Sequence, residues 1–435
     1  MKVIDIHSHI LPASLRVAYE NNELWYGTKI ERNKEGRTIL TTGKRKNVMS
    51  TPEYWTPYNE RIALMDDAEV DTQLLSLNPQ LLKDSDPIDI AFNACKDVND
   101  EIAEAVSNRP DRYQGLGTIP IKDPERSISE LNRIMNELNL KGIIIGSHID
   151  HKNLNQQHFY EILMEAEKLG AFILLHPLST RAHDIMGEYH LINLIGNPME
   201  TTTAAANLIF SGFMDQLPNI KICLSHAGGY LPFAIGRFDH AYDTRKDVSD
   251  NLKNKPSDYL RNFYYDTITH SDTGLNQVIE IIGSDRILLG TDFPADMGVK
   301  KPLKWIEGIN FSEDIKNVSR SLKENWISGD GPFVKKFEKN FATHHKRKHG
   351  VAVSNGTAAL EIAIKSLKLK KNSEIIEECI YAETGRYLDF FTSDAGELST
   401  LEEFRQSDIS SMPGNTNLRI LLPTFVIFIL PLPRF

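Results

Sequence analysis

The sequence is poor in cysteine. Its 435 residues hold three, Cys95, Cys223 and Cys379, and none forms a CxxC pair, which excludes a disulfide framework and a thiolate zinc site. A reducing cytoplasm suits such a chain. Positive charge is also short. Lysine and arginine together number 49 against 59 aspartates and glutamates, a formal net charge of −10. Phosphate backbones need a basic surface, so nucleic acid is not an expected partner. Long apolar runs are missing too. The N-terminus reads as a strand rather than a charged segment followed by an apolar core, so no signal peptide is expected. The most apolar stretch, Ile420 to Leu432, is short and interrupted by Pro423 and Pro431; it does not span a bilayer, and no membrane partner is expected.

What is present is the profile of a soluble globular protein, 41% hydrophobic and 25% charged. The length exceeds a typical domain, although an α/β barrel can take up about 250 residues or more as one unit. Two regions are therefore expected. The first twelve residues organise the larger one. Val3, Ile4 and Ile6 are β-formers and run directly into His7-Ser8-His9, which reads as a short buried strand ending in two imidazoles. Residues i and i+2 of a strand share a side, so both rings can reach one metal ion. Alone, such a pair is more often a polar strand edge than a metal site.

From there to about residue 300, strand-like runs alternate with amphipathic helical ones. Candidate strands are Thr72 to Leu77, Tyr113 to Ile119, Gly142 to Ser147, Phe172 to His176, Lys221 to Ser225, Tyr264 to Thr267 and Ile287 to Thr291. Candidate helices include Ile88 to Ala105, Ile128 to Leu138 and Phe159 to Leu169. With the first, that makes eight parallel-type strands, the pattern of a (β/α)8 TIM-type barrel whose chemistry sits at the C-terminal strand ends. Those ends carry unusual polar residues. The fifth strand ends Leu175-His176-Pro177, the sixth Leu224-Ser225-His226 and the eighth Gly290-Thr291-Asp292. One histidine closing an apolar strand can be a satisfied core residue. Four polar ends in one barrel are much harder to assign to structure alone.

His7-Ser8-His9, Leu175-His176-Pro177, Ser225-His226-Ala227-Gly228-Gly229 and Gly290-Thr291-Asp292-Phe293-Pro294 resemble the signatures of the amidohydrolase superfamily. Within it the sequence is most similar to the aminocarboxymuconate-semialdehyde decarboxylase group, over about residues 1 to 315. Pro198-Met199-Glu200-Thr201-Thr202 and Gly236-Arg237-Phe238-Asp239-His240 add to the likeness. The resemblance implies that His7, His9, His176 and Asp292 hold one divalent metal, zinc in the first place and manganese in the second. Three imidazoles and a carboxylate leave a position open for water or substrate. Binuclear members bridge two metals with a carboxylated lysine from the fourth strand. Here that strand reads Ile143-Ile144-Ile145-Gly146-Ser147-His148, without lysine, which favours one metal.

The same resemblance makes His226 the general acid/base, with Asp292 sharing the catalytic work. Arg237 and Arg245 match by spacing the arginines that grip the substrate carboxylate, in some relatives from the neighbouring subunit of a dimer, and a homodimer is admitted here on that ground. A guanidinium fork suits a carboxylate. Arg45 is the nearest equivalent of a further family arginine. Asn193 stands where the aminocarboxymuconate enzymes place a pocket tryptophan, which points to a related but different substrate. The implied activity is metal-dependent, non-oxidative decarboxylation of a small unsaturated or aromatic carboxylate. A metal-dependent hydrolase of a C–N, lactone or C–C bond is the alternative, because a metal-bound hydroxide serves both. A third alternative is an inactive chimera.

That last alternative arises from the second region. Residues 1–317 are expected to form the barrel. Across 318–376, Gly329-Asp330-Gly331-Pro332 and Val353-Ser354-Asn355-Gly356-Thr357-Ala358 resemble the N-terminal part of the sugar aminotransferases that use pyridoxal phosphate. Nothing later supplies the Schiff-base lysine of that family, so no working pyridoxal phosphate site is expected. Residues 377–435 form a tail of no assignable structure.

Overall fold

The structure is a computed structural model. It describes residues 2–309 apart from 35–36, 43–44, 50 and 179, and beyond them 339–340, 342–343, 349–353, 380–382, 387–388, 418–421 and 425–429. The chain divides into two units, Met1–Asn310 and Phe311–Phe435.

In the first unit the strands are β1 (Ile4–Ile10), β2 (Thr28–Arg32), β3 (Thr38–Thr42), β4 (Arg45–Val48), β5 (Thr72–Leu77), β6 (Tyr113–Gly117), β7 (Gly142–Gly146), β8 (Phe172–His176), β9 (Lys221–Leu224), β10 (Phe263–Asp266) and β11 (Ile287–Leu288). Eight of them form one parallel sheet in the order β1-β5-β6-β7-β8-β9-β10-β11. The ends of this sheet meet. Ile6 N–H donates to the Leu289 carbonyl at 2.9 Å, Asp292 N–H to the His7 carbonyl at 2.8 Å and His9 N–H to the Phe293 carbonyl at 2.7 Å. The result is a nearly closed eight-stranded barrel of TIM type.

Helices outside and side chains inside bury both faces of these strands, which is why β5 and β7 are buried at every position. Gly142 enters β7 at φ +152°, where a Cβ would lie 1.8 Å from the Phe172 carbonyl oxygen; only glycine allows that approach. The strands lie where the sequence pattern puts them, to within a few residues. The helices run Ile88–Asn108, Pro124–Asn136 and Gln157–Leu169, each extending or shifting the expected span by a turn or less. The second begins with Pro124 behind an Asp123 cap whose carboxylate accepts the Arg126 N–H.

One element has no counterpart in the sequence reading. Between β1 and β5 the strands β2, β3 and β4 form a separate antiparallel sheet. Its signal is a period-two pattern, with Thr28 and Ile30 buried between exposed Lys29 and Glu31, but many charged residues mask it. Lys83 anchors this sheet to the barrel. Its buried ammonium donates to the Tyr26 carbonyl and Thr28 Oγ1 at 2.9 and 2.7 Å.

The second unit's described strands are β12 (His349–Val353), β13 (Ile380–Ala382), β14 (Tyr387–Leu388), β15 (Leu418–Leu421) and β16 (Phe425–Ile429), a sheet in the order β12-β16-β15-β13-β14. The apolar C-terminal stretch thus contributes to two strands, β15 and β16, paired antiparallel. The Ser354 to Thr357 segment lies outside the described residues. Among the described residues no helix is long and apolar enough to cross a membrane.

Candidate metal centre

Four strands deliver the site. On β1 the two-residue period sets Asp5, His7 and His9 on one side, in rising layers. β8 ends in His176, and Asp292 follows β11. One ligand atom from each of His7, His9, His176 and Asp292 lies within 4.8 Å of the others, and all four residues are buried. The Nε2 atoms of His7 and His9 are 3.0 Å apart, and Asp292 Oδ1 lies 3.4 and 3.1 Å from them. Among the described residues, His176 Nε2 is buried with no hydrogen-bond partner.

Each imidazole is oriented from behind. His7 Nδ1 donates to Asp266 Oδ2 at 2.7 Å, His9 Nδ1 bonds Ser76 Oγ at 3.0 Å, and His176 Nδ1 donates to the Pro177 carbonyl at 2.9 Å. With the outer nitrogens occupied, the three Nε2 atoms face one another, an arrangement that repels itself unless a cation sits among them. The electrostatics agree. Burial pushes His9 down to about 4, and burial beside three other imidazoles pushes His176 well below the usual histidine range. Burial opposes charge on His7 as well, but hydrogen bonds to Asp266 and Asp292 outweigh it and lift His7 to about 10. Burial likewise opposes ionisation of Asp292, yet hydrogen bonds from His226, His7 and His9 hold it well below the usual carboxylate range. Two neutral imidazoles, two carboxylates and a third imidazole that collects a proton describe a place that wants positive charge. The donor set and its inward nitrogens fit a divalent metal ion.

His226 stands beside this centre, its Nε2 3.5 Å from Asp292 Oδ2. It follows β9 on a tight turn in which His226 and Ala227 both adopt left-handed φ, +53° and +52°. Asp266 holds that strained turn, accepting the His226 and Ala227 N–H groups at 2.9 and 2.8 Å. One carboxylate therefore fixes both a metal-facing histidine and the backbone of the acid/base candidate. Gly290 makes room for it, since a Cβ there would lie 2.9 Å from Asp266 Cβ and 3.0 Å from His7 Cβ.

A cavity of about 290 Å³ opens over this floor. His226 and Asp292 form its base, and Asn193, Tyr230, Phe233 and His270 are among its walls. The structure thus brings together the four expected ligands, His226 and Asn193. Arg237 is exposed on the helix Leu231–Thr244 and does not line the cavity. Arg245, at the end of the same helix, is exposed and pairs with Asp247 at 2.8 Å. The helix turns that face outward, so neither arginine reaches the site of its own chain. Arg45 opens β4, and its side chain lies outside the described residues. Sequence reasoning missed Asp266, His270 and the buried Asp5. Asp266 carries the same signal as the other site residues, a polar group closing a buried apolar strand.

The comparisons with known proteins agree with this geometry. Residues 4–318 match the model of an amidohydrolase family, and residues 310–380 match that of the DegT/DnrJ/EryC1/StrS aminotransferase family. The 2-amino-3-carboxymuconate-6-semialdehyde decarboxylase of Dictyostelium discoideum is 34% identical over 333 residues, 75% of this chain and 89% of that protein. The 5-carboxyvanillate decarboxylase of Sphingomonas paucimobilis shares the fold at a TM-score of 0.60 and 23% identity, over 72% of this chain and 95% of that one. A dihydroxybenzoic acid decarboxylase from Polaromonas sp., solved with bound manganese and the inhibitor 2-nitroresorcinol, superposes at a TM-score of 0.59 and 24% identity, over 72% of this chain and 93% of that one. A family match over most of the chain, with a relative 34% identical along 89% of that relative's length, means that this protein belongs to the amidohydrolase family.

Proposed function

We propose that the barrel is a metal-dependent, non-oxidative decarboxylase of a small unsaturated or aromatic carboxylate. One observation carries this reading: His7, His9, His176 and Asp292 converge with His226 at the floor of a cavity, in a chain 34% identical to a decarboxylase along 89% of that decarboxylase's length. His7, His9, His176 and Asp292 would hold the ion, and zinc is the first candidate for this donor set, with manganese, which the Polaromonas protein binds, the second. When bound, the metal supplies Lewis acidity and a fixed point for a substrate oxygen.

The protein's own groups do the rest. His226 Nε2 moves a proton to the carbon that loses CO2. The electron pair of the breaking C–C bond remains on that carbon, so the new C–H bond balances the step. Asp292 Oδ2, 3.5 Å from His226 Nε2, orients the ring. Among the described lining residues there is no lysine or arginine, so a fork for the carboxylate has to arrive from elsewhere. Leu194, Tyr230 and Phe233 are exposed at the cavity, an apolar rim that a second copy can cover. We place Arg237 in such a homodimer, delivered to its neighbour's cavity.

The test is to load the full chain with zinc or manganese and measure CO2 release from a panel of carboxylates. Metal-dependent CO2 release that disappears in His226→Asn with metal content unchanged is the expected result. Release of alcohol or amine from ester, lactone or amide substrates, with no CO2, refutes the assignment. Arg237→Lys should raise KM several-fold more than it lowers kcat, and sedimentation of the full chain as a monomer at micromolar concentration refutes the dimer.

A further inference from the structure

The barrel closes where its ligands are most exposed to error. His7 and His9 lie on the first strand and Asp292 just beyond the last, and β11 on that side is only two residues long. A slip across the seam would separate Asp292 from both histidines. Beneath the seam runs a continuous buried chain of hydrogen bonds. Arg61, 3% exposed, donates from Nη1 to the His9 carbonyl at 2.7 Å and from Nε to Gln73 Oε1 at 2.8 Å. Gln73 Nε2 donates to Asp5 Oδ2 at 3.1 Å. Asp5 in turn accepts the Thr291 hydroxyl at 2.6 Å and the Thr291 N–H at 3.0 Å. Thr291 Oγ1 also accepts the Phe293 N–H at 3.1 Å, and the Arg61 guanidinium lies 4.5 Å over the Phe293 ring. One end of this chain therefore grips the backbone of His9, a proposed ligand, and the other holds Thr291, the neighbour of Asp292, across the closure.

Cost makes the chain informative. Arg61 is a buried cation whose two direct hydrogen-bond acceptors, an amide oxygen and a backbone carbonyl, are neutral, and burying a charge on such terms is unfavourable. A guanidinium keeps its charge at neutral pH. An apolar residue of similar volume would fill the space between β1, β5 and the helix Tyr58–Asp67 more cheaply.

We infer that Arg61 is a positioning residue for the metal centre, setting the spacing of His9 and Asp292 through Gln73, Asp5 and Thr291. This rests on the four-ligand reading of the centre. Its test uses cobalt(II) in the full chain, because the visible bands of cobalt report ligand geometry without turnover. In Arg61→Met the bands should shift and metal affinity should fall by about 10- to 100-fold, the range for residues that orient ligands. Arg61→Lys, which keeps the charge and one donor, should recover part of both. Thr291→Val cuts the far end and should shift the same bands. The double variant Arg61→Met/Thr291→Val should lose less affinity than the product of the two single losses, because both changes break one chain. A lower melting temperature with cobalt bands and affinity at wild-type values overturns the inference and leaves Arg61 a structural residue. If Arg61→Met does not fold, wild-type bands in Thr291→Val overturn it equally. Stoichiometric cobalt in the wild type with an undisturbed Arg61→Met fails this inference alone, whereas no cobalt binding to the wild type fails the metal reading with it.

Discussion

Asp266→Asn changes one atom of the site and separates two roles that the aspartate combines. In the wild type Oδ2 accepts from His7 Nδ1 and the His226 N–H at 2.7 and 2.9 Å, and Oδ1 accepts from the Ala227 and Ile268 N–H groups at 2.8 and 3.0 Å. Four donors thus meet two oxygens. An amide offers one oxygen, so either orientation turns an NH2 group against two donors. If the NH2 faces His7, the ring keeps a hydrogen bond only by accepting at Nδ1, which moves its proton to Nε2, the nitrogen that must be bare for metal. If the NH2 faces Ala227 and Ile268, the left-handed turn carrying His226 loses its anchor. Unsatisfied buried donors cost about 1–3 kcal/mol, and a displaced orienting partner costs about 10- to 100-fold in metal affinity, or roughly 1.4–2.7 kcal/mol. Competition with a chromophoric chelator reads the affinity, and melting in EDTA reads the stability. A variant that binds zinc within threefold of wild type would show that Asp266 does not set the His7 tautomer.

His176→Ala removes a ligand outright, and the purified protein should hold far less than one equivalent of metal; full occupancy measured by elemental analysis would break the four-ligand assignment. Glu200→Gln tests the tie between the loop after β8 and the helix Asn197–Phe210. Burial opposes the Glu200 charge, but hydrogen bonds from Arg181, the closest at 2.7 Å, pull its pKa below the usual value. A depressed folded pKa stabilises above the unfolded value near 4.3 and loses that contribution as pH falls through the folded one. The variant should therefore melt lower at pH 7, by the equivalent of about 1.5–3 kcal/mol for hydrogen bonds to a charged group, and the gap should close as pH falls below about 4; an unchanging gap would be inconsistent with this pair. At the junction, a chain ending at Asn317 should keep its metal, because every proposed ligand precedes it. The full chain should show no lysine-linked pyridoxal phosphate absorbance, and either a cofactor band or loss of metal on truncation would contradict the passenger reading of the C-terminal part.

How far the sequence reaches follows from the range of the forces involved. Strand identity and facing are local. β-branched residues make β1 and β7, the two-residue period puts His7 and His9 on one side, and a polar residue closing an apolar run marks His176, His226 and Asp292. A parallel sheet with alternating helices then has few ways to bury both faces, so the barrel and its reactive end could be read from one dimension. The charged hairpin strands β2 to β4 could not, because their alternation is diluted by Lys29, Glu31, Arg32 and Lys46 and depends on a barrel surface to pack against. Partnership across the barrel was equally hidden. Asp266 meets His7 from 259 residues away, and Thr291 meets Asp5 from 286, distances over which only closure of the sheet decides who touches whom. Spacing matched Arg237 and Arg245 to carboxylate-binding arginines, but a helix turns about 100° per residue, and the packing of Leu231–Thr244 against the barrel points both of them to solvent. The sequence by itself determined the candidate donors, the fold that carries them and the class of chemistry. The tertiary structure alone decided which groups orient those donors, what walls the cavity presents and which arginines the chain keeps from its own site, because each of these is a contact between segments that share no local pattern.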